Sequence, residues 1–196
     1  GSVVPALTGR VLGALRMFCS ARFLTVGPGL KSGIKLRLDN PAQLGAELLC
    51  GAVAALEEGP GPLAVISADT AISIMAVNGK QELVGGVILP GPQLSLSALV
   101  QKTAQLPQID LSAPASSSIL GKNTSACLQN GFVLGTAGLL DGLAEHFQAE
   151  LGPDIRFYAT GNLPRTIREA CRTPIEYREY LITDGLYRIW QKNRKG

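Results

Sequence analysis

Apolar residues along the chain follow two spacings, one helical and one strand-like, separated by clusters of Gly and Pro. Ala6 to Phe18 repeats its apolar positions at helical spacing, with Pro5 or Thr8 as the start signal. Arg22 to Val26 reads as a short strand. Pro41 to Glu58 is rich in Ala and Leu and reads as one helix, with Pro41 in its first turn and Gly59-Pro60-Gly61-Pro62 as its stop. Three strands follow: Leu63 to Ser67, Ile72 to Val77 and Glu82 to Leu89. Asn78-Gly79 between the last two is a hairpin signal. Ser95 to Gln105 is predicted helical, and a loop then runs through Pro107 and Pro114. Asn123 to Leu151 reads as a long helix, capped by Asn123 or Thr124 and ended by Gly152-Pro153. Ile155 to Thr160 is a strand running into Gly161-Asn162. Helices over Leu163 to Cys171 and Glu179 to Asn193 flank an extended piece near Pro174 and Ile175. Strands alternating with helices around one hairpin predict an α/β domain with a mixed sheet. The Gly59–Pro62 tract is the clearest boundary and divides residues 1–61 from 62–196.

Hydrophobic residues make up 46% of the 196 positions and charged residues 17%, the balance of a folded globular chain. The net charge of +3 resides in the tail, since Lys192, Arg194 and Lys195 account for all of it. No basic stripe with interleaved aromatics exists, so nucleic acid is not an expected partner. No apolar run approaches the roughly 18 to 20 residues needed to cross a membrane, and no signal-peptide pattern opens the sequence. Cys19, Cys50, Cys127 and Cys171 are far apart with no CxxC pair. That spacing suggests neither a zinc site nor a redox motif, and predicts buried free thiols in a reducing cytoplasm. His146, the single histidine, falls mid-helix and reads as a helix-face residue, so no Ser-His-Asp or Cys-His arrangement is expected.

The stretch with most chemical content is Val26-Gly27-Pro28-Gly29-Leu30-Lys31-Ser32-Gly33-Ile34. Glycine lets backbone approach a ligand closely, and a Pro between two Gly stiffens the turn, so this segment reads either as a ligand-cradling loop or as a tight structural turn. Further along come Asn40-Pro41-Ala42-Gln43-Leu44-Gly45-Ala46-Glu47, Gly85-Gly86, Pro90-Gly91, Gly121-Lys122-Asn123-Thr124, Ala159-Thr160-Gly161 and Asp184-Gly185-Leu186. In this order the motifs resemble the type III pantothenate kinases, which open coenzyme A biosynthesis, and the resemblance runs from Ser2-Val3-Val4-Pro5 to the terminal helix.

The resemblance implies an actin/sugar-kinase-like (ribonuclease H-like) α/β fold: a mixed sheet with flanking helices, residues 1–61 as an incomplete first lobe and 62–196 as the second. It implies that Gly27, Pro28, Gly29, Ser32 and Gly33 lie on the pantothenate side, where Thr124 either meets substrate or caps its helix. Thr70, Gly161 and Asn162 would lie on the nucleotide side. An active member would use ATP with Mg²⁺ and a monovalent cation; no metal-binding residue is assigned in this chain. The expected partners are a second copy of the chain or an active kinase-like chain, with pantothenate as small-molecule ligand.

Several positions depart from the family pattern. The family's N-terminal phosphate loop has no counterpart. Its GADR segment reads Gly45-Ala46-Glu47-Leu48, which leaves Glu47 as the candidate base and puts Leu48 in place of an Arg. Its D-x-GTATT-x-D pair aligns with Ser67 to Met75, so both Asp positions are neutral and a phosphate-turn Gly becomes Asp69. The second Gly of ATGG is Asn162. Phosphoryl transfer needs a positioned base, cradled phosphates and cations. The expectation is therefore a degenerate or partner-dependent subunit. The alternatives are an active kinase, as a fragment or half of a split enzyme, with Glu47 as base, and a non-catalytic sensor of pantothenate-like ligands.

Overall fold

The computed structural model describes residues 5–27, 29–113 and 118–194. Pro28 and Pro114, Ser2 to Val4 of the opening motif and Lys195 of the basic tail lie outside the described residues. Helix α1 (Pro5–Phe18) is followed by strand β1 (Lys35–Leu36), α2 (Ala46–Ala55), β2 (Leu63–Ala68), β3 (Ala71–Val77), β4 (Glu82–Pro90), α3 (Pro92–Gln101), α4 (Thr124–Leu151), β5 (Arg156–Gly161), α5 (Arg165–Ala170), β6 (Ile175–Tyr177) and α6 (Leu181–Asn193). The strands form one sheet in the order β1-β4-β3-β2-β5-β6. The β2-β3-β4 meander is antiparallel, whereas β5 and β6 join it in parallel and β1 pairs in parallel with β4.

Central strands β2, β3 and β5 are buried on both faces, as their Ala, Ile and Val content demands. One face packs on α2, α6 and the segment around Val26 and Ile34; the other packs on α4 and α5. The first of these clusters draws Val26, Leu48 and Val53 from before the Gly59–Pro62 tract and Leu63, Val65 and Ile189 from after it. Arg156 pins that tract, donating to the Glu58 carbonyl at 3.3 Å and to the Pro60 carbonyl at 2.7 Å.

Several expected elements differ. Arg22 to Val26 is not a strand: Val26 is buried in the core without joining the sheet, and β1 occupies the outer edge of β4. That edge is fixed by Lys35 at 3.4 Å and Arg37 at 3.0 Å from Glu82. The helix expected over Pro41 to Glu58 breaks into a 3-10 turn (Pro41–Gln43), α2 and a second 3-10 turn (Leu56–Glu58), because Gly45 sits extended before Ala46. Helix α3 starts three residues early, at Pro92, where a missing N–H is harmless. The hairpin connection between β3 and β4 is four residues, Asn78 to Gln81. The Asn78 side chain accepts from the amides of Lys80 and Glu82, and Gln81 (φ 59°) takes the left-handed conformation that Gly79 was placed to supply. Cys50 is buried as anticipated, but Cys171 is only half-buried and Cys19 and Cys127 are exposed. They lie just after α1 and in the first turn of α4, where the Cys127 thiol donates to the Gly121 carbonyl at 3.3 Å.

Two packing contacts set the layers. A side chain on Gly51 would press into Val65, and a Cβ on Gly185 would overlap the Cys50 carbonyl. Gly185→Ala gains up to about 1 kcal/mol of helix propensity, but forcing a methyl group onto fixed main chain costs about 1–3 kcal/mol. A net loss of stability is expected in urea denaturation; an unchanged or higher midpoint would contradict this packing.

On the opposite face, the buried Asp141 of α4 accepts from the amides of Arg172 at 3.0 Å and Thr173 at 2.9 Å and from Arg172 Nε at 3.3 Å. Burial pushes its carboxyl up, but these donors outweigh burial and hold it below the usual carboxylate value. A depressed folded value means its stabilisation is complete above the unfolded value near about 4 and fades as pH falls through the folded one. Asp141→Asn is expected to lose about 1–3 kcal/mol at pH 7. The gap to the native protein should narrow as the medium is acidified below that unfolded value, as read from paired urea titrations.

Candidate functional site

A cavity of about 770 Å³ lies between the glycine loop and the start of α2. Val26 and Ile34 are buried and anchor both ends of the loop in the core. Between them the Ser32 hydroxyl donates to the Ile34 carbonyl at 3.1 Å and accepts from its amide at 3.3 Å, closing a turn. Gly27, Gly29 and Ser32 line the cavity from this side, and Asn40, Glu47 and Leu49 line it from the other. Gly33 is on the loop but not in the lining; its φ of +86° favours glycine, and the end of the Lys192 side chain lies beside it.

Glu47 stands in the first turn of α2, where the helix dipole favours an anion. Its carboxylate folds back toward Gly45, where a Cβ would collide with it. Oε2 is buried without a hydrogen-bond partner. Leu48, one position on, points into the apolar cluster and does not line the cavity. The Glu47 side chain thus lines the cavity while its Oε2 is closed off from solvent, and no arginine accompanies it from α2.

A second cavity of about 460 Å³ opens where β2 turns into β3 and β5 ends. Asp69 and Thr70 form the turn, with the Asp69 amide donating to Ala71 and the Thr70 carbonyl accepting from the Gly91 amide, each at 2.9 Å. Gly161 adopts φ +82°, and a Cβ there would meet the Ala68 carbonyl. The Asn162 side chain reaches across the strand ends and donates to Asp69 Oδ1 at 2.9 Å. Asp110 and Ser112 also line this cavity, and no Lys or Arg does.

Thr70 and Asn162 are thereby brought together with Gly161 beside them, and Gly27, Gly29, Ser32 and Glu47 are brought together elsewhere. Thr124 belongs to neither group: it is exposed at the start of α4, and Asn123 makes the cap, accepting from the Ala126 amide at 2.9 Å. Sequence reasoning missed a row of hydroxyls. The register places Ser73, Ser67 and Thr160 side by side on one sheet face, with Met75 buried on the same face. Strand alternation from Ser67 was the available signal. Asn193 and Lys192, which reach the glycine loop from the far end of the chain, had none.

A family model described as type III pantothenate kinase matches residues 1–146. The chain belongs to the type III pantothenate kinase family. Proteins bearing that name in Koribacter versatilis and Geotalea uraniireducens are 35% and 36% identical to it, over 98% and 99% of this chain and 70% and 75% of theirs. One in Dehalococcoides mccartyi is 37% identical over 98% of this chain and 73% of its own. The crystal structure of a Baf family protein from Campylobacter jejuni superposes with a TM-score of 0.61, covering 99% of this chain and 81% of that one at 19% identity, a likeness that shows the fold alone. The six-stranded mixed sheet with flanking helices is accordingly the sugar-kinase/actin-like fold of this kinase family.

Type III pantothenate kinases are ATP-dependent, so the fit of a nucleotide is a matter of the strand ends. A phosphate bound there would meet the Asp69 carboxylate, and the residues present do not suit it. No group of three or more His, Cys, Asp or Glu among the described residues could hold a metal ion. Likewise, no helix among them is long and apolar enough to cross a membrane.

The Cys50 thiol lies one turn beyond Glu47. Burial first, and the Glu47 charge to a lesser degree, push it up to about 11. Cys171 is also raised to about 11, by burial and then by Asp141. At pH 8 a thiol reagent should label the exposed Cys19 and Cys127 rapidly and Cys50 and Cys171 only on unfolding, as counted by mass spectrometry. Rapid labelling of Cys50 would contradict the packing around Glu47.

Proposed function

We propose that this chain is a member of the coenzyme A biosynthesis kinase family that retains the pantothenate-side cavity but does not transfer phosphate on its own, and that it acts paired with a second copy or with an active kinase-like chain. The observation that carries this reading is the 2.9 Å hydrogen bond from Asn162 to Asp69. Two positions that are glycines in the family pattern hold side chains here, and the two side chains satisfy one another across the ends of β5 and β2. A phosphate entering there would gain a carboxylate neighbour, and the Asn162 side-chain amide is already engaged by that carboxylate. Two unit charges of like sign about 4 Å apart repel by about 4 kcal/mol at an effective dielectric of 20. The hydroxyl row of Ser67, Ser73 and Thr160 supports the same reading, because hydroxyls offer no charge to hold a cation.

A second reading, the active kinase, is favoured by one observation: Glu47 lines the same cavity as the glycine loop. A carboxylate so placed is suited to accept the proton of a substrate hydroxyl. In that case groups from another chain complete the phosphate side.

The purified chain incubated with pantothenate, ATP, Mg²⁺ and K⁺ is expected to give no 4′-phosphopantothenate above the enzyme-free control by mass spectrometry. The double variant Asp69→Gly/Asn162→Gly is expected to bind ATP at least about tenfold more tightly than the native chain in calorimetry, since removing the anion relieves more than 1.4 kcal/mol. Product from the native chain would overturn the non-catalytic reading. Glu47→Gln should then lower turnover about 100-fold or more if Glu47 is the base.

A further inference from the structure

The glycine loop is held by the last turn of a helix more than 150 residues away in sequence. Asn193, at the end of α6, accepts a hydrogen bond from the Lys31 amide on Oδ1 at 3.1 Å and donates from Nδ2 to the Lys31 carbonyl at 3.0 Å. The same amide nitrogen donates to the Ile189 carbonyl one helical turn back, at 2.7 Å. Both N–H groups face carbonyls and the oxygen faces an N–H, so the chemistry of the neighbours fixes the orientation of the amide. The two bonds to Lys31 reproduce the paired exchange of a strand ladder, made by a side chain. Lys192 lies over Gly33, whose φ of +86° favours glycine.

Helix α6 also packs along α2, through Leu181 and Ile189 in the shared core and through Gly185 against the Cys50 main chain. One rigid helix therefore contacts both walls of the larger cavity: the loop through Asn193 and Lys192, and the Glu47 helix through Gly185. Loops positioned by a regular element hold a binding geometry that free loops lose. We propose that Asn193 is a positioning residue for this cavity. By fixing Lys31, next to the lining residues Leu30 and Ser32, it sets the distance between the glycine loop and Glu47 and hence the affinity for the carboxylate-bearing ligand. The inference rests on the proposed reading of the cavity as the pantothenate side.

The test compares Asn193→Ala, Asn193→Asp and, as a control on the same helix, Trp190→Ala, which removes an exposed ring stacked on Tyr187. Exchange of the Lys31 amide with solvent is followed by NMR, and pantothenate binding by calorimetry. Loss of both bonds to Lys31 should speed exchange of its amide by about tenfold and weaken pantothenate by a similar factor. Asn193→Asp keeps the acceptor for the Lys31 amide and loses both donors, so it should fall between. Trp190→Ala should match the native protein in both measurements.

Unchanged Lys31 exchange in Asn193→Ala overturns the proposal, as does faster exchange with unchanged affinity. Should Asn193→Ala fail to fold, Asn193→Asp decides by the same criteria. If the native chain binds no pantothenate, the exchange data still decide whether Asn193 holds the loop, and only the reading of the cavity falls.

Discussion

Gly185 rests on the main chain of Cys50 with no room for a methyl group, and the positions of α2, α6 and the loop before them depend on that contact. It lets two helices approach until their backbones touch, which brings Leu181 and Ile189 into the same apolar cluster as Leu49, Val53 and Leu63. Gly51 repeats the device one layer down, against Val65 of the central strand. Helices α2 and α6 thus meet at main-chain distance while α2 rests on the Val65 side chain of the sheet, and Glu47 at one end of α2 inherits its position from them.

The central sheet was legible because its residues carry the pattern in their side chains. Ile72, Ile74, Leu63 and Val65 are β-branched or apolar in short runs bounded by Gly, Pro or Asn, and a strand is what such runs form when both faces are buried. The failures have a common cause. Arg22 to Val26 has the same local pattern, but a strand also needs a neighbour to complete its hydrogen bonds, and the free edge of β4 is taken by Lys35 and Leu36. Pro41 to Glu58 has the composition of one helix, yet the extended Gly45 interrupts it, because the chain must turn there to bring Glu47 to the cavity. Neighbouring elements decided both, and a local reading does not contain them.

The candidate site divides in the same way. The glycines of the loop and the carboxylate of Glu47 stand out in the sequence, and the structure brings Gly27, Gly29, Ser32 and Glu47 to one cavity. Ser32 spends its hydroxyl on Ile34, which no spacing rule foretells. Asp69 and Asn162 each looked like an isolated loss; their hydrogen bond, 93 positions apart in the chain, shows two changes that suit each other. Thr124 was singled out by its motif, but α4 carries it to an exposed turn away from both cavities.

The hydroxyl row across β3, β2 and β5 has one more implication. Carboxylates at such a place repel one another and make a sheet end dependent on whatever counter-ion is at hand. Ser67, Ser73 and Thr160 are uncharged at every physiological pH, and Thr160 donates to the Glu179 carbonyl within the fold. The row itself therefore offers no charge to a divalent ion, and the carboxylates nearest to it are those of Asp69 and Asp110 in the cavity at the strand ends.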